Sequence, residues 1–256
     1  VPRTTLRNAS RWGRLSPRWR SKFGETPLEV VEGFCRRVIK VRSKGKKTVP
    51  LEFNPIQAKL HRARRGDDLV VKARQEGVTT YFVADGLAKA ILWENERRVI
   101  AFHKEDAAKA ARRDIVGFMW RHIPQEIRPL VSQDNLGGLY FPDWNSSVEV
   151  ITLAGDSGRS GMITGLHLSE AAFYKASVAA ITESVPEEVG EISVESTGDD
   201  PSGEFYQAAM AAWRGESRQT LHFYSWLDNP EYTKPGGGAG VDLLDDYERM
   251  LVRELG

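Results

Sequence analysis

The chain lacks the features that mark secreted, membrane-spanning or zinc-binding proteins. A single cysteine, Cys35, excludes an internal disulfide and favours a reducing compartment. No apolar run approaches the roughly 20 residues that cross a bilayer, and the first residues lack the apolar segment of a signal peptide. The five histidines have no metal-ligand spacing, and no Ser/His/Asp arrangement stands out. These absences predict a globular protein with no disulfide and no membrane partner.

Charge is distributed unevenly along the chain. The net charge is +1, but residues 1–50 carry 14 Lys/Arg and 3 Asp/Glu, a balance of +11. The other 206 residues carry 22 Lys/Arg and 32 Asp/Glu, a balance of −10. A basic arm on an acidic body predicts a polyanion or an acidic protein as partner, although a solvated leader has the same composition.

Changes in composition predict three parts. Residues 1–50 form a basic arm with short lead-in strands, 51–233 form a core, and 234–256 form a glycine-rich linker and the start of a C-terminal region. With 41% hydrophobic and 28% charged residues, the chain is able to bury a sizeable core. It begins without Met and stops in Tyr247–Gly256, which resembles the middle of a helix, so we expect a fragment of a longer protein.

Strand patterns alternate with helix patterns along the chain. The predicted strands are Arg36–Arg42, Thr48–Phe53, Asp68–Lys72, Arg98–Phe102, Gly138–Phe141, Ser147–Leu153, Met162–Leu168, Glu191–Glu195 and Thr220–Tyr224. The predicted helices are Pro27–Gly33, Pro55–Arg65, Thr79–Glu94, Glu105–His122, Glu170–Lys175, Val178–Val185 and Gly203–Trp213. The alternation predicts an α/β fold with a mostly parallel sheet between helices, and ligands at the carboxyl ends of its strands.

One loop has the layout of a phosphate-binding loop between a buried strand and a helix. It consists of Lys72, Ala73, Arg74, Gln75, Glu76, Gly77, Val78, Thr79 and Thr80. In the pattern G-x-x-x-x-G-K-[ST], loop amides bind phosphates and the hydroxyl meets Mg²⁺. Gly77 and Thr79 or Thr80 fit, but Val78 stands at the lysine position. Lys72 and Arg74 at the loop entrance are candidates for the missing charge. An ordinary strand–helix turn is the alternative.

Two later strands end in polar residues. Met162–Leu168 is followed by Ser169 and Glu170, which resembles a Walker B arrangement. In it, Ser169 would be a weak contact to the metal or to a water, and Glu170 would polarise the attacking water. The alternative is a helix N-cap serine with a first-turn glutamate. The strand Glu191–Glu195 is followed by Ser196 and Thr197, which are placed to sense a γ-phosphate. An ordinary strand–turn is the alternative.

Two isolated side chains complete the candidate site. The Gln57 amide offers a donor and an acceptor that suit an adenine edge. Arg159, in the Gly/Ser-rich loop Gly155–Gly161, suits a finger that contacts phosphate within or between subunits. Solvated surface side chains are the alternative for both residues.

Taken in order, these segments resemble the large terminase subunit of tailed bacteriophages, the ATPase motor that packages DNA into capsids. The resemblance covers about residues 50–235 and includes Arg74–Gly77, Ser169–Phe173, Ser196–Gly198, Phe205–Tyr206, Phe223–Trp226 and Asn229–Tyr232. It implies a P-loop NTPase fold of the additional-strand class, with ATP and Mg²⁺ as cofactors. It also implies that ATP hydrolysis drives double-stranded viral DNA into a procapsid.

The resemblance implies roles for the candidate residues. Gln57 would lie at the adenine, the Lys72–Thr80 loop at the phosphates, and Glu170 would be the catalytic carboxylate. Thr79 and Ser169 would face Mg²⁺, Ser196 and Thr197 would couple hydrolysis to movement, and Arg159 would reach a neighbouring subunit's ATP.

The resemblance also implies partners and a location. The partners are double-stranded DNA regardless of its sequence, the portal protein, the small terminase subunit, and further copies in a ring on the procapsid. The location is the cytoplasm of the infected bacterial host, and the protein is absent from the mature virion. A nuclease domain would follow residue 256.

Two departures from the family pattern keep rival functions open. Val78 lacks the amine, which some terminases supply from the start of the loop, where Lys72 stands. Ser169 replaces the usual aspartate and puts direct metal ligation there in doubt. A helicase-like DNA-dependent ATPase and a catalytically inactive nucleic-acid-binding or capsid-docking module are the alternatives.

Overall fold

The computed structural model describes residues 22–128, 133–135, 138–153, 163–174, 177–183, 190–198, 200 and 202–232. The predicted finger Arg159 lies outside these ranges, as do most of the basic arm (1–21) and the predicted linker and C-terminal region (234–256). Within the described residues, no helix has the length and apolar character that crossing a membrane requires. The domain boundaries expected at residues 50 and 233 stay predictions.

An eight-stranded sheet forms the centre of the molecule. Its strands are β3 (Asp67–Lys72), β4 (Arg97–Phe102), β5 (Gln133–Asn135), β6 (Gly138–Phe141), β7 (Ser146–Thr152), β8 (Gly165–Ser169), β9 (Glu191–Ser196) and β10 (Thr220–Tyr224), in the order β10-β3-β9-β8-β4-β7-β6-β5. The first six strands in that order are parallel, and β6 and β5 continue the sheet antiparallel. Because β9 lies between β3 and β8, the sheet has the additional-strand arrangement that was predicted.

Helices lie on both faces of the sheet. They are α1 (Pro27–Val38), α2 (Pro55–Ala63), α3 (Val78–Leu92), α4 (Glu105–Ala111), α5 (Gly117–Arg121), α6 (Val178–Glu183) and α7 (Glu204–Trp213), with a π-helical turn at Arg112–Val116 between α4 and α5. A separate two-stranded sheet consists of β1 (Lys40–Arg42) and β2 (Thr48–Pro50). The predicted start of α2 is confirmed, since the Asn54 side chain caps it and Pro55 is its first residue.

Side chains of β4 show how the sheet divides the core. Ile100 and Phe102 belong to the cluster that includes α1 and α3, whereas Val99 and Ala101 belong to the cluster that includes α6 and α7. Successive strand residues point to opposite faces, so one strand contributes to both clusters. A sheet buried on both faces leaves its strand ends as the natural place for a ligand.

The predicted strand at Arg36–Arg42 is wrong in its first half, because α1 continues to Val38 and only Lys40–Arg42 pairs. Thr26 starts this helix with a capping box, and Val31, Phe34 and Val38 recur at helical spacing on its buried face. The longer helix expected at Glu170–Lys175 is also wrong, because the structure has one 3₁₀ turn at Ala171–Phe173.

Candidate functional site

The carboxyl ends of β3, β8 and β9 meet at one edge of the sheet. Lys72 ends β3, and Ser169 at the end of β8 pairs in register with Glu195 of β9. A cavity of about 450 Å³ opens at this edge. Its lining consists of Lys72, Arg74, Gln75, His103, Lys104, Glu170, Phe173 and Thr197. The predicted loop, the predicted base and Thr197 of the predicted coupling pair Ser196 and Thr197 therefore converge on one cavity.

Lys72 is the buried cation of the cavity. Its Nζ lies 3.2 Å from Glu195 Oε2 and 3.5 Å from Glu170 Oε1. Arg74 also lines the cavity, but its side chain is exposed. Val78, at the usual lysine position, is 1% exposed and packs with Ile56 and neighbouring apolar side chains. A positive charge at the phosphates would therefore come from the start of the loop.

Polar side chains from outside the motif hold the loop in place. Asn54 Nδ2 donates to the Glu76 carbonyl at 3.0 Å, and Gln57 Nε2 donates to the Gly77 carbonyl at 2.7 Å. The buried Glu76 carboxylate accepts from Asn229 Nδ2 at 2.7 Å, so it faces the protein rather than the cavity. These bonds orient the loop carbonyls inward, which favours amides that face a phosphate.

The side-chain amide of Gln57 forms its hydrogen bonds within the protein. Besides the bond to Gly77, its Oε1 accepts from the Asn54 amide at 3.0 Å, and the side chain is 4% exposed. The geometry makes Gln57 a positioning residue for the loop, and its contact with adenine stays a prediction. The sequence signal for its structural role is the spacing from Asn54 to Gln57, which is typical of a capping box.

Gly77→Ala should destabilise the protein by more than a simple backbone penalty. Gly77 has φ +74°, where alanine costs about 1 kcal/mol, and a Cβ there would lie 2.7 Å from Gln57 Nε2. Gly215→Ala is the matched control, since its φ is +73° with no atom within 4 Å of an added Cβ. Urea unfolding should show a larger loss for Gly77→Ala, and equal losses would contradict the contact with Gln57.

Glu170 stands in a strained backbone conformation at the cavity. Its φ is +57°, which is uncommon for a residue with a side chain and often marks functional positions. The carboxylate is one-third exposed, so solvent reaches it. The N-cap alternative for Ser169 does not hold, because the Ser169 hydroxyl donates to Glu195 and the 3₁₀ turn has no side-chain cap.

Glu195 is the residue that the sequence analysis left without a role. It is fully buried, and its Oε1 accepts from Thr79 Oγ1 at 2.7 Å and from Ser169 Oγ at 2.8 Å. Burial alone would raise the pKa of Glu195, but His167, Lys72 and Thr79 lower it to about 2. An ionised carboxylate therefore lies beside the two hydroxyls predicted to face Mg²⁺. The one sequence signal was an acid at the carboxyl end of a predicted parallel strand.

The predicted coupling pair, Ser196 and Thr197, lies next to the turn after Glu170. Ser196 is buried, and its Oγ accepts from the Ala172 amide at 3.2 Å. Thr197 lines the cavity itself. A displacement at the end of β9 would therefore reach the turn that holds Glu170 through one hydrogen bond.

His103 and Lys104 were also missed by the sequence analysis. They follow β4 directly and line the cavity, with the His103 ring 5.6 Å from the Phe173 ring. Burial, together with Lys104, lowers the pKa of His103. Their position after a parallel strand was the signal that could have found them.

The described residues contain no cluster of three His, Cys, Asp or Glu side chains able to hold a metal. The oxygens that meet beside the start of α3 are the Thr79 and Ser169 hydroxyls and the Glu195 carboxylate. These hard oxygen ligands suit Mg²⁺, which in nucleotide sites takes one or two protein ligands together with phosphates. The residues therefore fit Mg²⁺ bound together with a nucleotide.

Comparison with known proteins identifies the fold. No protein-family model and no curated protein sequence matches the chain. The large terminase of bacteriophage HK97 is similar in structure, with a TM-score of 0.65, 17% identity, and coverage of 77% of this chain and 44% of that one. The large terminase of a thermophilic bacteriophage, in complex with ATP-gamma-S, gives a TM-score of 0.52 and 14% identity, covering 72% of this chain and 47% of that one.

Another crystal form of the same thermophilic phage's large terminase gives a TM-score of 0.52 and 11% identity over 80% of this chain and 51% of that one. The chain thus spans about half the length of these three large terminase chains. At these identities the likeness concerns the fold. Together with the strand order, it shows that the chain has the α/β P-loop NTPase fold that these large terminases share.

Proposed function

We propose that this chain is the ATP-hydrolysing motor domain of a large terminase that moves double-stranded viral DNA into a procapsid. The observation that carries the proposal is the convergence of the Lys72 ammonium, the Thr79 hydroxyl and the Glu170 carboxylate at one edge of a P-loop fold. Lys72 and Thr79 belong to the loop between β3 and α3, whereas Glu170 follows β8. Each matches a part that phosphoryl transfer requires.

The proposed chemistry assigns one task to each side chain. The loop amides before α3 bind phosphate oxygens, and Lys72 neutralises charge that develops on the γ-phosphate. Glu170 orients the attacking water and accepts its proton. Mg²⁺, held from Thr79, would neutralise phosphate charge when bound with ATP. Arg159 is proposed as the finger that reaches a neighbouring subunit's ATP.

The wider proposal follows the resemblance to large terminases. DNA contacts would be made to phosphates and would not depend on sequence. Ser196 and Thr197 would transmit hydrolysis to movement, since Ser196 bonds the chain next to Glu170. The portal protein, the small terminase subunit and further copies in a ring are the proposed partners. The proposed location is the host cytoplasm, and the protein would be absent from the virion.

Nucleotide binding tests the proposal directly. A fluorescent ATP analogue titrated with Mg²⁺ should bind, and Lys72→Ala should weaken binding more than Arg74→Ala. The reason is burial: Lys72 is 7% exposed, whereas Arg74 is exposed and screened by water. We expect Lys72→Ala to lower the affinity for the analogue about tenfold or more, which corresponds to the loss of one charge-assisted hydrogen bond. Arg74→Ala should lower it a few-fold.

The result also separates the rival functions. Failure of the unmodified protein to bind nucleotide would favour an inactive docking module. A larger loss for Arg74→Ala would move the missing charge from Lys72 to Arg74. Binding and turnover that rise with DNA but not with procapsids carrying portal would favour a helicase-like ATPase.

A further inference from the structure

We infer that Glu195 supplies the metal-facing carboxylate that Ser169 does not, so that the acid of this site stands on β9 instead of β8. The inference rests on the proposed function, because it places Mg²⁺ with a bound nucleotide. In P-loop NTPases the loop Ser/Thr and a Walker B acid hold Mg²⁺ together. Here β8 ends in a serine, and its register partner on β9 is Glu195.

Sheet order explains why β9 is able to provide this acid. β9 lies next to β3, whereas β8 is one strand further from the loop. Thr79, in the first turn of α3, consequently reaches Glu195 Oε1 at 2.7 Å and Ser169 Oγ only at 3.5 Å. A glutamate on the nearer strand takes the place that an acid on β8 would otherwise fill.

The hydroxyl oxygens of Thr79 and Ser169 keep lone pairs that are able to bind a metal ion. A hydroxyl has one hydrogen to donate, and Thr79 and Ser169 both donate to Glu195 Oε1. The two hydroxyl oxygens, 3.5 Å apart, are therefore left with acceptor lone pairs. Hydroxyl oxygens with free lone pairs beside a carboxylate are what a hard divalent cation binds.

The second oxygen of Glu195 provides an independent observation. Oε2 is buried without a hydrogen-bond partner and lies 3.2 Å from Lys72 Nζ. A buried carboxylate oxygen without a hydrogen bond is costly unless a cation faces it. The Lys72 ammonium lies there and also approaches Glu170 at 3.5 Å. When Lys72 turns to the phosphates, a divalent cation would replace its charge beside Glu195.

The test compares nucleotide affinity with and without metal. A non-hydrolysable ATP analogue is titrated in EDTA, in Mg²⁺ and in Mn²⁺, against the unmodified chain and Glu195→Gln. In EDTA, the affinity of Glu195→Gln for the analogue should stay within about twofold of that of the unmodified chain. The factor by which metal increases this affinity should fall by roughly 10- to 100-fold, as for other groups that orient metal ligands. Electron paramagnetic resonance of Mn²⁺ should show the same loss of bound metal.

Moving the acid back to β8 provides the second variant. Ser169→Asp combined with Glu195→Ser should regain most of the metal enhancement, because Asp at the end of β8 matches the Walker B position. The swapped variant also keeps the test valid if Glu195→Gln does not fold, which thermal unfolding would reveal.

Three results would overturn the inference. Full metal enhancement in Glu195→Gln would show that Glu195 does not face the metal. Equal weakening in EDTA and in Mg²⁺ would show a structural role only. Failure of the unmodified chain to bind nucleotide under any condition would remove the proposed function, and this inference with it.

Discussion

Glu170→Gln should lower ATP turnover by about 100- to 10,000-fold, the contribution of a positioned general base. The amide has the same shape but cannot accept the proton of the attacking water. Nucleotide affinity should stay within a few-fold, because Glu170 is one-third exposed and the proposed phosphate contacts come from the loop and Lys72. Phosphate release measures ATP turnover, and titration of a fluorescent ATP analogue measures nucleotide affinity.

The matched control for this substitution is Glu94→Gln. Glu94 is an exposed glutamate after the end of α3, at the opposite edge of the sheet from the loop. It should turn over ATP at the rate of the unmodified protein. Arg159 is proposed to act between subunits, so turnover is measured on assembled protein, under conditions in which the unmodified protein hydrolyses ATP. Unchanged turnover in Glu170→Gln would refute its assignment as the base.

Arg98→Met should cost about 3–5 kcal/mol of unfolding free energy, as expected when one member of a buried ion pair is removed. Arg98 belongs to a buried network of three cations and four carboxylates: Arg64, Lys89, Arg98, Asp68, Asp85, Glu96 and Glu191. It lies 2.7 Å from both Glu96 and Glu191. Methionine keeps most of the volume but leaves two cations facing four carboxylates.

Arg97→Met is the control on the neighbouring residue. Arg97 pairs with Glu149 at 2.8 Å, but both side chains are roughly a quarter to a third exposed, at 27% and 30%. A partly exposed pair of this kind contributes about 1 kcal/mol or less. Chemical unfolding should show a clearly larger loss of unfolding free energy for Arg98→Met than for Arg97→Met. Equal losses would show that burial does not determine the effect.

Lowering the pH should reduce the difference in unfolding free energy between Arg98→Met and the unmodified protein. Burial alone would raise the pKa of Glu191, but Lys89, Arg98 and Arg64 lower it from 4.5 to about 2. A lowered pKa stabilises the folded protein fully above about pH 4.5 and loses that contribution as the pH falls toward 2. The variant has less of this contribution to lose, so its stability should fall less steeply than that of the unmodified protein.

Local patterns predicted the parts of the site that consist of consecutive residues. The strand before Ala73, the glycine at residue 77 and the helix after it form one continuous segment, so their order along the chain is also their order in space. Asn54 and Pro55 likewise predicted the start of α2. The first half of the strand expected at Arg36–Arg42 was wrong, because burial against the core favoured helical spacing at residues where β-propensity alone is weak.

The sequence by itself determined the α/β class, the loop that carries Lys72 and Thr79, and the acid at residue 170. Only the tertiary structure decided which strands are neighbours, and therefore that Glu195 lies between the loop and Ser169. It also decided that charges from residue 64 to residue 191 form one buried network. The physical reason is that sheet order depends on packing of distant segments, whereas turns and helix starts depend on adjacent residues.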